Sequence, residues 1–400
     1  MTRQFEFCLN RRNWIAGILG TSIAADDRIL AQSPSLMDSD LKTQLHAKRT
    51  LPPLPDREGF AGMYAGVADG KLVVAGGANF PNGFPWEGGR KVWHDELFVL
   101  DAPESKSWNR PPIRLPLPAG YGISISWNDR AYFVGGETGP ASNTIGTVPT
   151  CMANVISLGN SGGKFEFRDE PPMPEPLKDA CGIAIGSHCY VFGGLSSPTA
   201  TEASNRLHVL DLEKPDRGWQ RGPELPGIGR FQSIAGSDGQ NLFVYSGIVA
   251  DRGPDGSQIR RKPYLREVWR YSPGISAITG RWSRLADMPH EAAAAPSPAI
   301  RSKSGELAIL SGAIATDHAK PPIQHPGWSR DVLLHDPGHD RWRIARDAFD
   351  PGRAVVTAPT LSWRGLDIVV SGETSPGRRT PAISTIKSEI RTPASIPMPK

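Results

Sequence analysis

The stretch "LVVAGG" (72–77) is an apolar run that ends on two glycines, and the chain repeats it five more times. The repeats are "AYFVGG" (131–136), "CYVFGG" (189–194), "LFVYSG" (242–247), "LAILSG" (307–312) and "IVVSG" (368–372). Their last glycines stand at 77, 136, 194, 247, 312 and 372, so the gaps run from 53 to 65 residues. Runs this short, rich in Val, Ile, Phe and Tyr and bounded by turn residues, read as buried strands. The same marks recur outward from each run. Upstream lie a small-residue strand and a hairpin turn, as in "AGVADGKL", "ISISWNDRAY", "IAGSDGQNL" and "IRSKSGEL", where Asp-Gly or Ser-Gly supplies the positive φ that a tight hairpin needs. Downstream, a third strand leads through a polar turn to Trp108, Trp219, Trp282 or Trp342, and Pro-rich links such as "RLPLP", "PPMPEP", "PELPG" and "ADMPHE" open the next unit.

Four strands per unit, at a period of roughly 50–60 residues, are the content of one kelch-type blade. The pattern therefore predicts an all-β chain folded as a six-bladed kelch-type β-propeller with four-stranded antiparallel blades, spanning 40–400. Inner strands converge on the axis, so the glycines are expected where neighbouring blades approach closely. The tryptophans are expected to fill the wider gaps farther out. One blade cannot bury both of its faces alone, so stability comes from stacking and ring closure. The sixth unit has no tryptophan after its Ser-Gly, and the segment at about 40–54 is expected to complete that blade. Pairing of the N- and C-terminal segments would then hide the sheet edges.

Composition agrees with many turns: Gly 43 and Pro 38 are scattered over 400 residues. Lys+Arg 45 against Asp+Glu 41 leaves only +4, and no basic patch argues for nucleic acid. The leader "LNRRNWIAGILGTSIAADD" carries Arg11 and Arg12, a weakly apolar stretch, and small residues at Ser22 and Ala24. It predicts an export signal of the twin-arginine type within 1–31 and a periplasmic or secreted protein. The stretch is too short to span a membrane. Cys8, Cys151, Cys181 and Cys189 form no Cys-x-x-Cys pair, so a zinc site is not expected. His335 and His339 in "HDPGH" lie in a turn with no helical face to present both to a metal. "GNSGGK" (159–164) reads as a hairpin turn rather than a phosphate loop. The insert 246–269, with Arg260, Arg261 and Lys262, covers the channel, contacts a partner or is a solvated loop.

The loops that leave the glycine pairs gather at one mouth of the central channel, where propellers carry function. They begin Ala78-Asn79, Glu137-Thr138, Leu195-Ser196, Ile248-Val249, Ala313-Ile314 and Glu373-Thr374. Two deliver a carboxylate, and only "LDIVVSGETSPGRRT" (366–380) follows it with a basic pair. Glu373 and Arg379 can thus share the mouth, either as a functional pair or as an ion pair that stiffens a turn. Asn79, Tyr121 and Glu137 are further candidates for the channel wall. For Glu137 the alternative is bonding at a strand end, and for Tyr121 it is packing between blades.

In four stretches the chain resembles a known family: "GFAGMYAGVADGKLVVAGGANFP" (59–81), "GRKVWHDELFVL" (89–100), "AGYGISISWNDRAYFVGGET" (119–138) and "SGETSPGRRT" (371–380). The family is that of the bacterial N-acetylneuraminate epimerases (sialic acid mutarotases), in its cyclically permuted branch. In unpermuted members the Gly-Glu-x-x-Pro-Gly-x-Arg-Thr segment precedes the Phe-Ala-Gly segment, whereas here it comes last. The middle blades match only as generic kelch repeats. The resemblance implies an isomerase acting on a small acidic sugar without a cofactor or metal. Its proposed catalytic carboxylate falls on Glu373 and its functional arginine on Arg379, while Arg378 sits where the motif varies. A homodimer is left open. Two rival classes stand beside this reading. One is a non-catalytic propeller that binds glycan or protein, since the scaffold alone does not fix activity. The other is a copper-radical enzyme resembling galactose oxidase, against which six repeats and the lack of a matching His/Tyr cluster count.

Overall fold

The structure, a computed structural model, describes residues 51–141, 148–350 and 352–386. The leader and most of the 40–54 segment lie outside the described residues. Six antiparallel sheets follow one another along the chain and form a six-bladed β-propeller. Blade one contains Tyr64–Ala68, Lys71–Ala75 and Leu97–Leu100, with Asn109 bridged to Val99 in place of a fourth strand. Blade two has Ile123–Trp127, Arg130–Thr138, Thr150–Ser161 and Lys164–Glu170, with Ala119–Gly120 added beside the second strand. Blade three has Cys181–Ile185, His188–Phe192, Leu207–Asp211 and Gln220–Arg221. Ile234–Ser237, Leu242–Tyr245, Val268–Ser272 and Arg281–Arg284 make blade four, and Ile300–Arg301, Leu307–Leu310, Val332–Asp336 and Arg341–Ala345 make blade five. Blade six shows three strands, Thr360–Trp363, Leu366–Val370 and Ile383–Ile386.

Second strands are continuously apolar because each blade is covered on both sides. In Lys71–Ala75, Leu72 and Val74 pack with Ile368, Val370 and Ile383 of blade six, whereas Val73 and Ala75 pack with Ala131, Phe133 and Leu158 of blade two. Alternate residues of one strand thus serve two interfaces. Four more apolar layers fill the remaining gaps between blades. The tryptophans span these gaps: the indole N–H of Trp108, Trp219, Trp282 and Trp342 donates to the carbonyl of Pro52, Pro171, Pro223 and Ala286, each in the link that leads into that tryptophan's blade.

The glycine pairs do more than let blades approach. The second glycine of every pair has positive φ, from 87° at Gly77 to 124° at Gly312, and a Cβ on Gly312 would stand 2.5 Å from Ala292 Cα. The first position is left-handed too, at 55° for Ser246 and Ser371. Two of the three serines there use the hydroxyl: Ser371 Oγ accepts the N–H of Phe60 at 2.9 Å, across the seam between blades six and one, and Ser246 Oγ donates to Leu265 O at 2.9 Å, whereas Ser311 Oγ is buried without a partner. Gly372 N–H donates to Phe60 O at 2.8 Å on the same seam, and Leu54 N–H to Pro381 O at 2.8 Å. Leu54 is to blade six what Leu225, bonded to Asn205 O, is to blade three. The two halves of the family-like pattern, at opposite ends of the chain, therefore touch in space.

A closed ring of backbone hydrogen bonds surrounds the axis. Gly62, Tyr121, Asp179, Gln232, Ala294 and Thr357, one from each blade, all have positive φ between 51° and 66°. Each N–H donates to the carbonyl of the preceding member, and Gly62 N–H closes the circle on Thr357 O, with every distance between 2.7 and 2.9 Å. Left-handed non-glycine residues cost about 1–2 kcal/mol each. A ring of bonds that polarise one another offsets part of that cost. The collar fixes the floor of the mouth.

Candidate active site

Above the collar lies a cavity lined by Tyr121, Asp179 and Gln232 of the collar and by Lys91, Lys178, Arg260, His318, Trp328, Glu373 and Arg379 from the mouth loops. Below the collar the channel is lined by small residues, among them Gly122, Ser124, Cys181, Ser233 and Ala358.

Glu373 and Arg379 face each other across the hairpin of Glu373–Ser375 and Arg378–Arg379, which the turn at Pro376-Gly377 closes. Arg379 Nη1 lies 2.8 Å from Glu373 Oε2, with the side chains 5% and 17% exposed respectively. Three blades hold the pair. Glu373 exchanges backbone bonds with Val356 at 3.0 Å, its carbonyl accepts the Trp328 indole N–H of blade five at 2.6 Å, and the Arg379 guanidinium lies 4.7 Å from the Phe80 ring of blade one. The buried Nη1 of Arg379 has the Glu373 carboxylate beside it, while its buried Nε has no hydrogen-bond partner within the protein. A buried donor left that way costs about 1–3 kcal/mol until a ligand satisfies it.

A second charged group stands across the cavity. Lys178 donates to Glu137 and lies 3.6 Å from Asp179. Burial alone would lower the ammonium pKa, but Asp179 and Glu137 outweigh it and the value rises, so Lys178 is charged. Lys91 Nζ sits 4.6 Å from the Tyr121 ring and 3.8 Å from Glu137. On the blade-five side, His318 Nδ1 and the Tyr264 hydroxyl are 3.1 Å apart. Burial first, then Arg260, His325 and Lys262, pushes His318 down to about 4, so it is neutral at pH 7. The lining thus carries four cations, Lys91, Lys178, Arg260 and Arg379, against two carboxylates, Asp179 and Glu373. A cleft with such an excess concentrates anions.

Of the residues singled out in the sequence, Glu373, Arg379 and Tyr121 meet in this cavity. Three others do not line it. Asn79 is buried and its Oδ1 bonds His94 Nε2 at 2.8 Å. Glu137 is only 2% exposed, covered by Lys178 and Lys91, and supports the wall from behind. Arg378 alternates with Arg379 and stacks outward, 4.7 Å from the Phe84 ring and 5.5 Å from that of Trp86. Among the histidines of "HDPGH", His335 bonds Tyr245 and Asp340 while His339 bonds Asp336. Among the described residues no cluster of His, Cys, Asp and Glu could hold a metal. None of their helices is long and apolar enough to cross a membrane. Sequence reasoning missed Lys91, Lys178, Asp179, Gln232, His318 and Trp328. Of the insert's basic run, Arg260 reaches the cavity, whereas Arg261 pairs with Asp251.

No family model matches the chain. N-acetylneuraminate epimerase of Yersinia enterocolitica serotype O:8 is 27% identical over 238 residues, which cover 53% of this chain and 56% of that protein. The chain is thus similar in sequence to proteins named N-acetylneuraminate epimerase. The epimerase of Yersinia pestis strain Pestoides F is 34% identical over 120 residues, 28% of each chain, and that of Salmonella enteritidis PT4 is 36% identical over 115 residues, 26% of this chain and 29% of that one. The match thus spans about half the length of the first of these epimerases and under a third of the others. The solved structure of YjhT superposes with a TM-score of 0.60 and 14% identity over 85% of this chain and 98% of that one, a likeness of fold.

Proposed function

We propose that the protein is an isomerase that interconverts the α and β anomers of N-acetylneuraminate or a closely related acidic keto-sugar. The observation that carries the reading is the Glu373–Arg379 pair at the edge of a cavity rich in cations, with the guanidinium Nε buried and unbonded. Kinship with proteins named N-acetylneuraminate epimerase supports the choice of sugar.

The chemistry needs one proton shuttle. Glu373 takes the proton of the anomeric hydroxyl, the carbonyl forms, and the bond from the anomeric carbon to the ring oxygen breaks with its electrons going to that oxygen. Glu373 then passes the same proton to the ring oxygen. Rotation of the open chain and the reverse steps on the other face yield the second anomer, and the cycle balances without an oxidant or co-substrate. A positioned acid/base of this kind contributes about 10²–10⁴-fold. Arg379 anchors the substrate carboxylate, which its planar fork matches in two-point fashion. Lys91 and Lys178 add attraction for the anion from the opposite wall.

The test is a proton NMR time course of freshly released α-N-acetylneuraminate. Wild type should reach anomeric equilibrium faster than buffer, and Glu373→Ala should lose about 10²-fold or more of that acceleration while keeping its fold. A folded wild type no faster than buffer would sink this reading and leave the glycan-binding propeller as the better one.

A further inference from the structure

His318 closes the short helix Ala315–His318 in the blade-five mouth loop and lines the same cavity as Glu373. Its ring is boxed in. It meets Trp328 edge-on at 5.4 Å and His325 at 6.4 Å between centroids, and its Nδ1 is 3.1 Å from the Tyr264 hydroxyl. Tyr264 itself is buried, and the guanidinium of Arg260 interacts with its hydroxyl. An arginine can only donate. A cation beside the phenolic oxygen draws the lone pairs toward itself and turns the O–H proton away, which here means toward His318 Nδ1. A neutral imidazole whose Nδ1 accepts must carry its proton on Nε2.

We infer that His318 presents a fixed, neutral Nε2–H donor to the ligand in the mouth, with Tyr264 and Arg260 as positioning residues that set the tautomer. The identity of the acceptor rests on the mutarotase reading: it is the sugar ring oxygen, which gains negative charge as its bond to the anomeric carbon opens. Glu373 still carries the proton from the anomeric hydroxyl to the ring oxygen, and the His318 hydrogen bond stabilises the charge on that oxygen until the proton arrives. A neutral donor suits this place because a second cation close to Glu373 would weaken it as a base.

The experiment is a long-range proton–nitrogen correlation spectrum of the full-length protein with ¹⁵N-labelled histidine at pH 7, the His318 signals being assigned by their loss in His318→Gln. The expected spectrum is a single neutral Nε2–H tautomer, whose Nε2 signal moves on saturation with N-acetylneuraminate while Nδ1 stays near its place. Tyr264→Phe, checked for fold by circular dichroism, should convert it to a mixture of tautomers. In the kinetic assay His318→Ala should lower kcat on the order of 10²-fold, the scale for a donor aimed at developing charge, and His318→Gln, which keeps an N–H near the same point, should recover part of that loss. An Nδ1–H tautomer or an imidazolium at pH 7 overturns the inference. So does a tautomer unaltered by Tyr264→Phe, or an Nε2 signal that ignores a sugar the protein turns over. If the Nε2–H tautomer is found but no mutarotation is, the sugar reading fails and the fixed donor stands.

Discussion

The two ends of the propeller are built from the same strands and differ in almost everything else. At one end the first and second strands of blades one, two, three and six are joined by two residues only, 69–70, 128–129, 186–187 and 364–365. Asp69-Gly70, Asn128-Asp129 and Arg364-Gly365 have positive φ at both positions, the geometry that matches strand twist in a tight hairpin. At the other end the connections include 78–96, 195–206, 248–267, 313–331 and 373–382, and four of these bring Lys91, Arg260, His318, Glu373 and Arg379 together. A two-residue turn has no side chains to spare for a ligand. The mouth loops have many, and the collar of six hydrogen bonds gives them a rigid base, as functional loops on a scaffold require.

The sharpest way to break this contrast is through glycine. Gly312→Ala at the mouth places a Cβ 2.5 Å from backbone at a φ of 124°, and should cost about 3 kcal/mol or more. Gly186→Ala at the hairpin end meets nothing within 4 Å and should cost only the left-handed strain, about 1–2 kcal/mol. Urea unfolding of the two variants measures the difference, and equal costs would mean that the mouth strand ends are no more constrained than the turns.

Within the mouth, neighbouring arginines sharpen the comparison. Arg379→Lys removes the planar fork and should lower kcat/KM roughly 10- to 100-fold, as lost bidentate recognition does. Arg378→Ala, which unstacks only from Phe84 and Trp86, should stay within about threefold. Steady-state mutarotation with both variants decides whether the inward or the outward arginine reads the sugar acid.

The smallest effect is electrostatic. His318 is held at about 4, by burial first and then by Arg260, His325 and Lys262, against about 6.5 in an unfolded chain. Between those values the unfolded state binds a proton that the folded state does not, so this group makes stability fall as pH drops from 6.5 to 4. His318→Gln should flatten that fall in urea midpoints measured at pH 7, 5.5 and 4.5. His94, His325 and His335, also lowered by burial, keep part of the slope in both proteins.

Legibility in the sequence followed range. The six glycine pairs, the tight hairpins and the tryptophans after the third strands are local patterns, and each has a local physical cause: positive φ, strand twist, or an indole that reaches the adjoining link. Glu373 and Arg379 were legible for the same reason, because a Pro-Gly turn between them fixes their pairing within seven residues. Asn79, Glu137 and Arg378 were not. Whether they point into the cavity depends on strand alternation just beyond the glycine pair, and on which neighbour covers them.

The sequence by itself determined the number of blades, the strands and the mouth hairpin that carries Glu373 opposite Arg379. Only the tertiary structure decided that Lys91, Lys178, Arg260, His318 and Trp328 would face that hairpin. They come from loops far apart in the chain with no shared spacing, and ring closure, which no local pattern encodes, sets where those loops converge.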